Sequence, residues 1–143
     1  MTDARDGRRL RVPANRRLSW DLLYFHQAVP LCAHDRRMNL VDVSAARDAC
    51  PVRVSWPAIF MKSYAIVAQE FPELRQTWYR WPLAHLYQHP FSVATLTVQR
   101  HINDEPWLFW GQIPTPESKS LEELQSLVNR FQDGNVREVF RRQ

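Results

Sequence analysis

The sequence predicts a protein of the α/β (α+β) class, and three segments carry that prediction. Residues 55–72 have the apolar periodicity of a helix that begins after a serine and stops at a proline. Residues 91–113 contain an alternating strand followed by a continuous apolar run, which is typical of paired strands. Residues 120–133 have the capping box and the apolar stripe of an amphipathic helix. Together these segments indicate helices packed on a sheet.

The segments before residue 55 predict two shorter helical stretches and a strand. Ser19 is a candidate N-cap for a helix that ends at Pro30 and carries a stripe of apolar side chains at Leu22, Phe25 and Val29. The segment 37–43, "RMNLVDV", is short and rich in Val and Leu, so it predicts a strand. Ser44 opens a brief helical turn that runs to Ala49.

The apolar helix has little polar circumference. Ser55 can cap it, Pro57 is tolerated in its first turn, and Pro72 stops it. One side carries the apolar residues Phe60, Tyr64, Val67, Ala68 and Phe71, and the opposite side carries Met61, Ala65 and Ile66. A helix of this kind must be covered on most sides, so we expect a central helix packed on a sheet.

The last third of the chain predicts a hairpin followed by a helix. Residues 91–100 alternate, with Ala94, Leu96 and Val98 on one face, which indicates a half-buried strand. The apolar run 105–113 predicts a second strand covered on both faces. Ser120 and Glu123 form the capping box of the final helix, Gly134 stops it, and its apolar stripe is Leu121, Leu124, Val128 and Phe131.

Positive charge is concentrated in the first 17 residues. This segment holds six Arg and two Asp, a net charge of +4, whereas the remainder holds 13 basic and 13 acidic residues and is neutral. The sequence therefore predicts a flexible Arg-rich arm, residues 1–17, followed by one balanced domain, residues 18–143. Nucleic-acid binding by the arm is a weaker alternative. It would be refuted if salt-sensitive binding survived deletion of residues 1–17.

Cysteine usage and hydropathy bear on the compartment. Cys32 and Cys50 have no disulfide-framework spacing, and the first residues lack the apolar run of a secretory signal. No segment approaches the roughly 20 apolar residues of a membrane span. We therefore expect a cytoplasmic protein without a membrane partner.

Histidine and cysteine spacing offers two weak metal hypotheses. His85 and His89 have the i, i+4 separation with which two imidazoles on a helix share a metal, but no carboxylate or Cys pair lies nearby. Cys32 and His34 would need two ligands from elsewhere. Structural roles are favoured for these residues, and no metal site is predicted. For nucleophilic catalysis, the sequence has no Gly-x-Ser-x-Gly elbow.

The side chains of the aromatic stretch 78–91 could stack on nucleic-acid bases or pack in a core or an interface. The balanced charge of the domain favours packing.

Four motifs, in order across about residues 19–134, resemble one superfamily. Trp56-Pro57-Ala58, the apolar helix and Pro72-Glu73-Leu74-Arg75 resemble a helix of the chloramphenicol acetyltransferases and of the acyltransferase cores of 2-oxoacid dehydrogenase complexes, the dihydrolipoamide acyltransferases. "LVDVS" (40–44) is similar to a short strand, "QHPFSVATLTV" (88–98) to a His-Pro-led strand and "KSLEELQSLVNRF" (119–131) to a Ser-Leu-led helix of that superfamily. The resemblance implies a chloramphenicol-acetyltransferase-like mixed sheet with packed helices, incomplete relative to the family.

The resemblance also implies a chemistry. Family members transfer an acyl group from a thioester of coenzyme A or a lipoyl arm, used as co-substrate, in a trimer whose sites lie between subunits. The general base is a His in a His-x-x-x-Asp-Gly motif, and a Ser or Thr hydroxyl stabilises the oxyanion. None of the five His here is followed four residues later by Asp; the residues found there are Pro30, Met38, His89, Val93 and Glu105. We therefore assign no catalytic residue and expect the chain alone to be nearly inert.

The family's acceptor pocket is lined partly by its first half. The corresponding positions here, which are substrate-binding candidates with ordinary packing as the alternative, are Phe25, Cys32, Ser92 and Ala94.

Two functions follow from the resemblance. The first is the N-terminal portion of an acyltransferase-like domain, which acts as a homo-oligomer or with a complementary chain that carries the C-terminal half. The second is a non-catalytic interaction or assembly subunit with residues 78–91 as its contact surface. In either case we expect exposed strand edges and an exposed apolar face on the helix spanning 56–71.

Overall fold

The structure, a computed structural model, describes residues 11–29 and 32–140. It confirms the predicted mixture of helices and strands. The helices and strands are, in chain order, α1 Arg17–Ala28, α2 Val41–Ala49, α3 Trp56–Glu70, β1 Gln76–Tyr79, β2 His85–Gln88, β3 Val93–Ile102, β4 Glu105–Pro114, α4 Leu121–Asp133 and α5 Val136–Val139. In place of one mixed sheet, the described residues form two separate antiparallel pairs, β1 with β2 and β3 with β4.

The predicted β3–β4 hairpin is confirmed, with ten residue pairs from Val93 opposite Pro114 to Ile102 opposite Glu105. Asn103 and Asp104 close it with φ angles of 51° and 63°, the left-handed pair that a type I′ turn requires. On β3 the predicted alternation holds, since Ala94 and Leu96 are half-buried and Val98 is buried. On β4 the prediction of cover on both faces is wrong at the C-terminal end, where Gly111 and Ile113 are buried but Gln112 is exposed.

Helix α4 follows its sequence signals. The Ser120 hydroxyl accepts a hydrogen bond from the Glu123 backbone N–H at 3.1 Å, and the Glu123 carboxylate accepts one from the Ser120 N–H at 2.7 Å. Gly134 is the C-cap residue. The helix buries Leu124, Val128 and Phe131 of the predicted stripe, while Leu121 at its first turn stays exposed.

The core lies between α4, the β3–β4 hairpin and the first turn of α3. Its buried apolar members are Val54, Ala58, Val98, Ile113, Leu124, Phe131 and Phe140. A hydrogen bond from the Lys62 ammonium to the Glu117 carbonyl ties α3 to the turn before α4, and a second goes to the Lys119 carbonyl at 2.7 Å. The Ser55 backbone N–H donates to the buried side chain of Gln125 on α4 at 2.7 Å.

Helix α3 has nearly its predicted bounds but is covered over only part of its circumference. Its buried residues are the small side chains Ala58, Ala65 and Ala68. The predicted stripe of large side chains points away from the core, with Tyr64 59% and Val67 44% exposed. The expectation that α3 is covered on most sides is therefore wrong for the described residues, and the expectation of an exposed apolar face is confirmed.

Two predictions upstream of α3 are wrong in detail. Helix α1 begins at Arg17, after a 3₁₀ turn over Ala14–Arg16, so Ser19 lies inside the helix and is not its N-cap. It ends at Ala28; Pro30 lies outside the described residues. The strand predicted at 37–43 is instead a coil that leads into α2 at Val41. The Asn39 side chain accepts a hydrogen bond from the Val41 N–H at 3.1 Å, and the negative charge of Asp42 is stabilised at the positive end of the helix dipole.

The segment between α3 and β3 contains an additional hairpin, β1–β2. The sequence had suggested only an aromatic stretch there. Both faces of this hairpin are exposed along all four pairs, from Gln76 opposite Gln88 to Tyr79 opposite His85. Trp81, in the connecting loop, is 83% exposed.

The proposed arm, residues 1–17, is described only from residue 11 onward. Within that part the Asn15 side-chain amide donates to the Pro106 carbonyl of β4 at 3.1 Å. The division between arm and domain at residue 17 stays a prediction.

Candidate ligand-binding cleft

A cleft of about 330 Å³ opens between the end of α3 and the start of β3. Pro72 lacks the N–H that would continue the helix, so α3 stops and the chain turns through a short 3₁₀ segment, Pro72–Arg75. The turn leads directly into β1, and β2 returns the chain to the same place. The lining residues are Tyr64, Leu74, Arg75, Gln76, Thr77, His89, Phe91, Ser92 and Val93.

The half-buried Arg75 is the structural centre of this cleft. Its Nε donates to the Ala68 carbonyl at 2.9 Å, and its Nη1 donates to the carbonyls of His89 at 2.9 Å and Pro90 at 2.8 Å. The Arg75 carbonyl in turn accepts the His89 backbone N–H at 2.9 Å. One side chain therefore fastens the last turn of α3 to the loop that precedes β3.

Next to Arg75, one face of the β1–β2 hairpin carries a row of aromatic and hydroxyl side chains. Thr77 Oγ1 and His89 Nε2 are 3.0 Å apart and share a hydrogen bond. The Tyr87 ring meets the His89 ring edge-on, with centroids 4.9 Å apart, and it meets the Tyr79 ring edge-on at 6.3 Å. Tyr79 stacks on His85 at 5.5 Å. These contacts hold the His89 ring in place at the mouth of the cleft.

The position of the two histidines bears on the weak metal hypothesis. His85 lies on β2 and His89 directly follows it, so their four-residue separation spans roughly 13 Å of extended chain. That distance is too long for one metal ion to bridge. Within residues 11–29 and 32–140, no three His, Cys, Asp or Glu side chains come together as a potential metal site.

The four substrate-binding candidates lie in different surroundings. Ser92 lines the cleft, and its carbonyl accepts the Thr115 N–H at 2.8 Å. Ala94, half-buried on β3, packs against the core. Phe25 on α1 is 66% exposed beside a separate open depression, and Cys32 is an exposed free thiol. The substrate-binding role of all four stays a prediction.

The sequence gave no chemical role to Arg75 or Thr77, and His89 entered only the weak metal hypothesis. The only other sequence signals were Pro72, interpreted as a helix stop and through the family resemblance, and the His89-Pro90 pair, interpreted through the resemblance. No local pattern indicates that the side chain of Arg75 reaches both the last turn of α3 and the loop before β3.

No helix in the described parts of the chain combines the length and the apolar character needed to cross a bilayer.

Comparison with known proteins supports the fold. No protein-family model and no curated protein matches the sequence. Among solved structures, the chain is similar to a probable dihydrolipoamide acetyltransferase from Listeria monocytogenes 4b F2365, with a TM-score of 0.66 and 16% sequence identity. The match covers 87% of this chain and 54% of that one, so this chain spans about half the length of that relative. The similarity shows an acyltransferase-like fold.

Proposed function

We propose that this chain is the N-terminal portion of an acyltransferase-like domain, which supplies scaffold and pocket wall for acyl transfer from a thioester of coenzyme A or a lipoyl arm. The observation that carries the proposal is the structural similarity to a probable dihydrolipoamide acetyltransferase over 87% of this chain. The catalytic His motif is absent from these 143 residues. The general base would come from outside these 143 residues, and we propose a complementary chain that carries the His motif as its source.

Two surfaces of the structure support this proposal. The large side chains of α3, among them Phe60, Val67 and Phe71, are exposed. In addition, β3 and β4 pair only with each other in the described residues, so neither outer edge of the ten-residue hairpin is paired with a further strand. Long free edges and contiguous apolar surface are typical of surfaces that another polypeptide covers. We propose that the cover is a complementary chain or further copies in a homo-oligomer, a trimer by resemblance.

The first experiment measures assembly. The full chain is purified alone and after co-expression with the product of the neighbouring reading frame, and mass in solution is determined by light scattering. We expect an assembly larger than 17.0 kDa. Val67→Lys, which places a charge on the exposed α3 stripe, should weaken that assembly. Gln69→Lys, at an exposed polar position of the same helix, is the matched control. A monomer under both conditions would contradict the proposal.

The second experiment measures chemistry. Acetyl-coenzyme A and dihydrolipoamide are incubated with the chain alone and with the assembly, and free coenzyme A is followed by liquid chromatography. We expect turnover by an assembly with a complementary chain that carries the His motif, and a rate lower by about two to four orders of magnitude for this chain alone or as a homo-oligomer, because the general base is missing. An assembly that forms but releases no coenzyme A would leave the fold relationship intact and remove the acyltransferase role.

A second candidate function, a non-catalytic assembly subunit, is favoured by the exposed β1–β2 hairpin. Trp78, Trp81 and Leu86 are more than half exposed, as is Leu83 in the connecting loop. Aromatic side chains are enriched in the centres of protein interfaces. Under this alternative, the double variant Trp78→Ser and Leu86→Ser dissociates the assembly, and no assembly shows thioester turnover.

A further inference from the structure

The cleft beside Arg75 contains a cation without a carboxylate partner. None of its nine lining residues is Asp or Glu. In the described parts of the chain the structure shows an ion pair between Arg47 and Asp48, and no described carboxylate pairs with Arg75. The guanidinium is partly withdrawn from water, and the carbonyl oxygens solvate its charge without neutralising it, so an anion in the cleft would be stabilised there.

The guanidinium is already fixed in position for a ligand. Three carbonyl oxygens hold its Nε and Nη1, so little side-chain freedom remains to be lost on binding. Nη2 makes no hydrogen bond to a described residue and is the donor left for a ligand. Four neighbouring side chains of the lining can donate as well: Tyr64, Gln76, Thr77 and Ser92.

We propose that this cleft binds the carboxylate of a small acid with an apolar body. The carboxylate accepts from Arg75 and from the hydroxyl groups beside it, and the apolar body contacts Leu74, Phe91 and Val93. A carboxylate fits better than a phosphate monoester, which carries nearly two charges whereas the lining offers one permanent cation. The cleft volume of about 330 Å³ is at the lower end for small-molecule sites.

This inference does not rest on the proposed acyltransferase function. It depends only on the charge and the geometry of the cleft, so the chain could fail to assemble or to transfer acyl groups and still bind the acid. The two proposals can therefore fail separately.

The test uses the ¹⁵N-labelled full chain and sodium benzoate as the probe, titrated at constant ionic strength and followed by NMR. We expect saturable shifts of amides in residues 75–77 and 89–93. Benzyl alcohol, which has the same ring without the charge, should bind at least about tenfold more weakly. Inorganic phosphate should also bind more weakly than benzoate. Absence of saturable shifts, or equal binding of benzyl alcohol or phosphate, would overturn the assignment to a carboxylate.

A conservative variant tests the cation without removing it. Gln76→Glu keeps the side-chain shape but adds a carboxylate that competes with the ligand for Arg75, and we expect benzoate affinity to fall about tenfold. Gln112→Glu makes the same charge change at an exposed position of β4 outside the cleft lining and should leave affinity within about twofold. Equal losses in both variants, or none in Gln76→Glu, would overturn the proposal. The amide spectrum of each variant verifies that it is folded.

Discussion

At the scale of single residues, one contact explains why position 111 on β4 is a glycine. A Cβ atom built on its backbone would lie inside van der Waals contact with the ring of Phe131 on α4. The absence of a side chain therefore lets α4 pack directly on the hairpin.

Gly111→Ala should lower the free energy of unfolding by about 1–3 kcal/mol, since the added methyl group forces the Phe131 ring from its position. Urea denaturation measures this change. Gln112→Ala, at the exposed neighbouring position, should stay within about 0.5 kcal/mol of the parent. An unchanged stability in Gly111→Ala would show that α4 does not pack on the hairpin in this way.

Glu123 gives α4 a pH dependence of known sign. Its pKa is lowered, mainly by the hydrogen bond from the Ser120 backbone N–H, which outweighs the opposing effect of desolvation. The Ser120 hydroxyl and the ammonium groups of Lys119 and Lys62 make smaller contributions in the same lowering direction. A lowered folded-state pKa stabilises the protein above the unfolded-state pKa, and this stabilisation is lost as the pH falls through the folded value.

The variant Glu123→Gln lacks this charge. The difference in unfolding free energy between the parent and the variant should be constant above roughly pH 5 and shrink as the pH falls below the unfolded-state value. Urea denaturation at several pH values from neutral to acid provides the test. A difference that does not vary with pH would contradict the capping role of the carboxylate.

At the scale of elements, the two hairpins differ in support. The β3–β4 hairpin has α4 on one face and buries Val98 and Ile113. The β1–β2 hairpin buries no side chain and is held at one end through Arg75. A two-stranded hairpin without a packed face is only marginally stable.

Amide hydrogen exchange should therefore be faster in residues 76–88 than in residues 121–131, by on the order of tenfold or more in the chain alone. Exchange detected by mass spectrometry on proteolytic fragments gives the comparison. Assembly with a partner that covers the hairpin should slow exchange in 76–88. Equal protection of both segments in the chain alone would mean that the hairpin has support within this chain.

At the scale of the whole molecule, stability is concentrated in one part of the structure. The largest fully buried side chains are Ile113 on β4, Pro116 in the turn after it, and Leu124 and Val128 on α4. The large apolar side chains of α1, α3 and the β1–β2 hairpin are mainly exposed. The described residues thus form one small core centred on β4 and α4, with a wide apolar surface elsewhere.

Two leucine substitutions test this distribution. Leu124→Ala removes a side chain with no exposed area and should cost about 2–5 kcal/mol of unfolding free energy. Leu86→Ala removes one that is 63% exposed and should cost no more than about 0.5 kcal/mol in the chain alone. Thermal or urea denaturation of the two variants distinguishes them. Similar costs would contradict the location of the core.

The candidate cleft could not be predicted from the sequence. The side chain of Arg75 donates hydrogen bonds to the carbonyls of Ala68, His89 and Pro90, which lie up to 15 positions away in the sequence. The β1–β2 hairpin, which returns His89 and Pro90 to Arg75, was not predicted. Its strands are four residues each and exposed on both faces, so burial imposes no alternation of apolar and polar residues on them. Ser92 was placed among substrate-binding candidates only by resemblance.

The sequence by itself determined the elements whose signals are local. The capping box of α4, the alternation of β3 and the stop at Pro72 act between residues a few positions apart, and each was predicted. Only the tertiary structure decided which face of α3 is buried, because both faces are apolar and the choice depends on contacts with residues up to 70 positions away. The buried positions are the small residues Ala58, Ala65 and Ala68, which no periodicity in the sequence distinguishes from the larger apolar residues around them.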